Sequence, residues 1–133
     1  MTDNCDYGYT KPLGETDFDA ALDQVTAALK KEGFGVLTEI DVQKTLKAKI
    51  NVDFRRYRIL GACNPVLAHQ ALSRELQLGL LLPCNVVVYE DDQGRAAVSL
   101  IKPTEMFKVV GNPDMEAIAA EVDAKLRRVF DAL

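Results

Sequence analysis

Hydrophobic positions along the chain change period several times, and each change predicts an element. Phe18, Ala21, Leu22, Val25, Ala28 and Leu29 recur at i, i+3, i+4, i+7, i+10 and i+11, one face of a helix. Thr16 is a suitable N-cap, Asp17 and Asp19 sit in the first turn, Lys30 and Lys31 in the last, and Gly33 can end it. Before this helix, "YGYTKPL" alternates and then meets Pro12, which predicts a short strand near a sheet edge, because proline cannot donate to a ladder. After it, "FGVLTEIDV" predicts a strand with Val36, Thr38 and Ile40 on one side and Leu37 and Glu39 on the other. The next stretch fits two patterns: Leu46, Ala48, Ile50 and Val52 alternate like a strand, while Val42, Leu46 and Ile50 form a helical stripe.

"FRRYRILGAC" predicts a strand with Tyr57, Ile59 and Gly61 on one face and Arg56, Arg58 and Leu60 on the other. It stops at Asn64-Pro65, where Asn64 offers an N-cap oxygen and Pro65 a preset φ at the first helical position. The helix that follows would bury Ala68, Ala71, Leu72 and Leu76 and stop at Gly79. "VVVYEDDQGRAAVSLIKP" reads as a hairpin turning at Asp91 to Gly94 and closed by Pro103. Asn112-Pro113 opens a last helix carrying Met115, Ile118, Ala119, Val122, Leu126, Val129 and Phe130 in register. Strand, helix, several strands with an inserted helix, and a closing helix predict an α+β fold, with an antiparallel sheet and helices packed on one face.

Composition narrows the possible partners. The 133 residues make one domain, 1–133, long enough to bury a core without staples. A formal charge of −4 argues against a general nucleic-acid binder, which needs a basic face to neutralise phosphates. The cluster Arg55, Arg56 and Arg58 leaves a small anion as a possible ligand. Neither a basic flank with an apolar run at the N-terminus nor a stretch of ~20 apolar residues occurs, so no membrane association and a cytoplasmic location are expected. Three cysteines, Cys5, Cys63 and Cys84, read as free thiols rather than a disulfide framework.

The run "FRRYRILGACNPVLAHQAL" followed by "GLLLPCNVVVYE", with "EGFGVLTEIDV" upstream, resembles the domain-of-unknown-function 302 family. The likeness runs from about Tyr7 to Phe130. It implies a TATA-binding-protein-like β-α-β(4)-α fold with extra short helices and a tendency to form homodimers. It also favours the helical reading of Val42 to Ile50. The resemblance implies no established reaction.

Candidate chemistry centres on two Cys-Asn pairs, Cys63-Asn64 and Cys84-Asn85, with the only histidine, His69, between them. Cys63, His69 and Cys84 are residue types that bind zinc or copper(I), although C-x5-H and H-x14-C match no short chelating pattern. A helix over 65–78 advances ~20 Å at ~1.5 Å per residue. The six steps back to Cys84 recover at most about 20 Å. The cysteines therefore meet only if their strands run antiparallel and the return segment is taut.

The same residues have a structural reading, in which Cys63 packs against Ala68 as a hydrophobic staple. A thiol reading draws on the partial positive charge of a helix N-terminus, which stabilises thiolates. Arg56 and Arg58, alternating onto one strand face, are candidates to hold a carboxylate or phosphate, although no phosphate-binding glycine loop accompanies them. Leu78, Leu80, Leu81 and Leu82 form an apolar run at a helix exit, to be covered either by core or by another subunit. Two functions follow: a homodimeric module that binds a small molecule or a partner without catalysis, or a metal- or thiol-dependent protein using Cys63, Cys84 and His69. A purely structural adaptor, with no pocket and no perturbed thiol, is the third class.

Overall fold

The structure, a computed structural model, describes residues 5–133. Five strands, β1 (Gly8–Pro12), β2 (Gly35–Asp41), β3 (Tyr57–Cys63), β4 (Cys84–Glu90) and β5 (Ala96–Ile101), pair antiparallel in the order β1-β5-β4-β3-β2. Pro12 thus lies on an edge strand, where its missing N–H costs no ladder bond. Among the described residues five α-helices accompany the sheet: α1 (Phe18–Lys31), α2 (Val42–Ile50), α3 (Pro65–Arg74), α4 (Pro103–Lys108) and α5 (Glu116–Asp131). The α+β architecture expected from the element order is the one observed.

The register sorts the sheet into two unlike faces. Leu60 lies opposite Val86, and Val86 opposite Leu100; all three are buried, with Ala62, Val88 and Val98 on the same side. Helix α1 sets Ala21, Val25 and Leu29 into this core, and α5 sets Ile118, Val122, Leu126 and Val129. Full burial of one Leu or Val side chain contributes about 1.5–3 kcal/mol, so these rows supply much of the driving force. The opposite face carries Ile40, Ile59 and Val87 in one cross-strand row and Tyr57 beside Tyr89 in another. The two tyrosine rings stack with centroids 5.8 Å apart. The helices pack against the first face; on the second, Ile40 is exposed while Tyr89 is buried.

Several local expectations are corrected. The α1 cap is Asp17, whose carboxylate accepts from the Ala20 N–H at 2.8 Å, rather than Thr16. A bulge at Leu37 breaks the alternation of β2 and puts Val36 opposite Ala62 on the core side, while Thr38 and Ile40 fall on the other. Val42 to Ile50 is helical, capped by Asp41 and ended by Asn51 with φ 54°, yet none of its residues is buried. Helix α3 stops at Arg74, not near Leu78, and a 3-10 turn over Leu76–Leu81 contains Gly79. Two further short elements, α4 and a 3-10 turn over Pro113–Met115, use prolines as first helical residues. Pro103 starts α4 as well as closing the hairpin.

Candidate functional site

β3 hands over to α3 at one end of the sheet, and a cavity of about 330 Å³ lies there. Asn64 makes the junction: its side-chain oxygen accepts from the Leu67 N–H at 3.3 Å, and Pro65 follows as the first helical residue. From this start α3 turns Leu67 and Ala71 fully inward and leaves Ala68 and Leu72 half-buried along the cavity. Cys63 and Ala62 bring in the end of β3, while Leu82, Pro83 and Cys84 bring in the return to β4. Phe107 of α4 and Ile118 and Val122 of α5 complete the wall from beneath. Phe34, Leu37 and Thr38 complete it from the β2 side.

The structure brings together two of the three predicted thiol or metal residues. β3 and β4 are antiparallel, as their convergence requires, and Ala62 sits opposite Cys84. No taut return segment is needed, because α3 has 10 residues and the chain comes back through a 3-10 turn. Burial pushes the Cys84 thiol up to about 11, and the neighbouring Cys63 adds to the rise. His69, in contrast, is exposed on α3 and does not line the cavity; its carbonyl accepts from the Ser73 hydroxyl at 2.7 Å. Among the described residues no group of three or more His, Cys, Asp or Glu side chains is arranged to hold a metal.

The arginines lie on the helix-covered side, and each is met by carboxylates. Arg56 donates to Asp19 at 2.8 Å and stacks its guanidinium 4.3 Å from the centroid of Phe18. Arg58 donates to Glu39 and pairs with Asp41 at 3.4 Å. A carboxylate or phosphate ligand would therefore compete with partners already in place.

The four leucines divide. Leu78 is 1% exposed and belongs to the core, so it presents no surface to a partner, whereas Leu80 is 83% exposed. Leu81 and Leu82 are half-buried against the core, and Leu82 lines the cavity. Sequence reasoning missed Phe107, Ile118 and Val122 as cavity residues. A usable signal was present in α3, where the small side chains of Ala68 and Ala71 face bulky neighbours and leave room between helix and sheet.

Fold and site together define an α+β protein with helices on one sheet face and an apolar cavity at the β3–α3 junction. The chain belongs to the family described as Domain of unknown function DUF302, whose model matches residues 9–133. It is similar to the uncharacterized conserved protein DUF302 from Bacillus stearothermophilus, known from a crystal structure. The two share 32% identity and superimpose with a TM-score of 0.87, over 96% of this chain and 98% of that one. No curated protein matches the chain. No helix among the described residues is long and apolar enough to cross a membrane.

Proposed function

We propose that this chain acts by binding, and that it holds a small apolar ligand in the cavity at the start of α3. The supporting observation is the cavity itself: about 330 Å³, walled by Leu67, Ala71, Leu82, Phe107, Ile118 and Val122. Thr38 and Asn64 are the hydrogen-bonding side chains on its border. Small-molecule sites are concave, mostly apolar and furnished with a few polar groups, and typically span ~300–1,000 Å³. Among the described residues the titratable side chains on its wall are the thiols of Cys63 and Cys84, and the rest of the wall offers desolvation of an apolar body. Its free thiols suit a reducing cytoplasm.

The test uses N-phenyl-1-naphthylamine, a neutral probe whose fluorescence rises in apolar surroundings. Saturable binding with one site per chain is expected. Ala68→Phe, which places a ring at a half-buried cavity position, should weaken that binding at least tenfold with the circular dichroism spectrum unchanged. Absence of saturable binding to the unmodified chain, or equal affinity in a folded A68F variant, overturns the proposal.

The same reading includes a homodimer formed through the sheet face turned away from the helices. Ile40, Ile59 and Val87 form a contiguous row there beside the Tyr57–Tyr89 stack, and α2 at the same end has no buried residue. A helix of nine residues is marginal alone, so a second copy packed on this region would add burial that one chain lacks. Light scattering at micromolar concentration should give twice the 14.7 kDa chain mass. Val87→Asp should return it to one chain. A monomeric unmodified protein removes the dimer and leaves the ligand site standing.

A further inference from the structure

Cys63 and Cys84 share more than a cavity wall. Ala62 lies directly opposite Cys84, so Cys63 is one residue further along the neighbouring strand. With strands ~4.8 Å apart and a rise of ~3.3 Å per residue, the two α-carbons are about 6 Å apart, inside the ~4.4–6.8 Å that a disulfide spans. Strict pleating would send the two side chains to opposite faces of the sheet. Cys63, however, is the last residue of β3, at the end of the sheet where it and Cys84 both border the cavity. Both residues line the same cavity, and the Cys63 thiol adds to the rise that burial gives Cys84. Neither is engaged in a disulfide.

We propose that Cys63 and Cys84 are a paired modification site, which closes to an intramolecular disulfide on exposure to an oxidised low-molecular-weight disulfide. Half-exposed Cys63 is reached first. Its thiolate attacks one sulfur of the oxidant, the oxidant's S–S bond breaks, and one small thiol leaves. The thiolate of buried Cys84 then attacks the Cys63 sulfur of the mixed disulfide and expels the second small thiol. Two protein thiols lose two electrons and two protons, and the oxidant is reduced to two thiols. The new bond ties the start of α3 to the start of β4 beside the cavity. This inference stands apart from the ligand reading, because its readout is covalent.

The experiment treats the full chain with oxidised glutathione, followed by intact-mass and peptide mass spectrometry without reduction. Expected are the loss of two hydrogens and a cross-linked peptide pair containing Cys63 and Cys84. Cys84→Ala, which removes the thiol without burying a hydroxyl, should instead retain one glutathione on Cys63. Cys63→Ser should leave Cys84 free, and Cys5→Ser should behave like the unmodified chain. The proposal is overturned if the unmodified chain keeps glutathione on Cys63 without closing, if both thiols stay free, or if the bond that forms involves Cys5.

Discussion

Gly61 of β3 lies directly opposite Thr38 of β2: a methyl group added at Gly61 would fall inside the envelope of the Thr38 hydroxyl and 2.7 Å from Cγ of Pro83. Neither neighbour gives way easily, since Thr38 is β-branched with a stiff χ1 and Pro83 is a closed ring. Gly61→Ala should therefore destabilise the fold by about 1–3 kcal/mol, the usual range for overpacking. Adding Thr38→Ala should recover part of that loss. A urea-unfolding double-mutant cycle checks both, and strictly additive single effects would contradict the packing argument.

Asn64 supports the site through a different term. Its side-chain oxygen caps α3 at the Leu67 N–H, and its amide lies against Gly33, whose φ of 84° already favours glycine. Asn64→Ala should cost about 1 kcal/mol of stability, the typical loss of a cap. Asn64→Asp keeps the accepting oxygen and should cost less. Urea midpoints of the two variants decide the matter; equal losses would mean that the cap contributes nothing.

Patterns in the sequence disclosed elements where the side chains alone set the answer. The stripe from Phe18 to Leu29 and the Asn64-Pro65 start signal each specify a helix without tertiary help. Other features depended on partners distant in sequence. The bulge at Leu37 belongs to the pairing of β2 with β3, and the shift to a 3-10 turn after Arg74 depends on docking Leu78 into the core. Meeting of Cys63 and Cys84 was legible as a distance question that antiparallel pairing answers. The outward position of His69 was not, because the face that α3 turns inward is set by docking Leu67 and Ala71 into the core. Far-wall residues such as Phe107 and Val122 come from helices whose packing no local pattern discloses.

Leu78 and Leu80 provide a contrast within one 3-10 turn, being 1% and 83% exposed. Leu78→Ala should lower stability by about 2–5 kcal/mol, the range for emptying a packed core position. Leu80→Ala should stay within about 0.5 kcal/mol, as surface changes do. Thermal or urea unfolding at a concentration that keeps the chain monomeric measures both. A large loss in the Leu80 variant under those conditions would place that side chain in contacts that a single chain does not make.

Alkaline unfolding should be asymmetric because Tyr9, Cys84 and, through its burial, Tyr57 hold their protons longer in the folded chain. Burial raises Tyr9, its hydrogen bond to Asp123 at 2.7 Å raises it further, and the nearby Asp123 charge adds to the effect, taking it from 10.0 to about 12. Burial raises Cys84 from 9.0 to about 11. Between each pair of values the unfolded chain has released a proton that the folded chain keeps, so the unfolded state binds fewer protons and stability falls as pH rises. The contribution is whole below pH 9; the Cys84 part is lost from about 9 through 11, and the Tyr9 part from about 10 through 12. Tyr9→Phe removes the ionising hydroxyl and so removes its share of the upper component, leaving that of Tyr57. Urea midpoints measured from pH 8 upward should then fall less steeply above pH 10 in Y9F than in the unmodified chain; parallel slopes would show that Tyr9 takes no part in the alkaline transition.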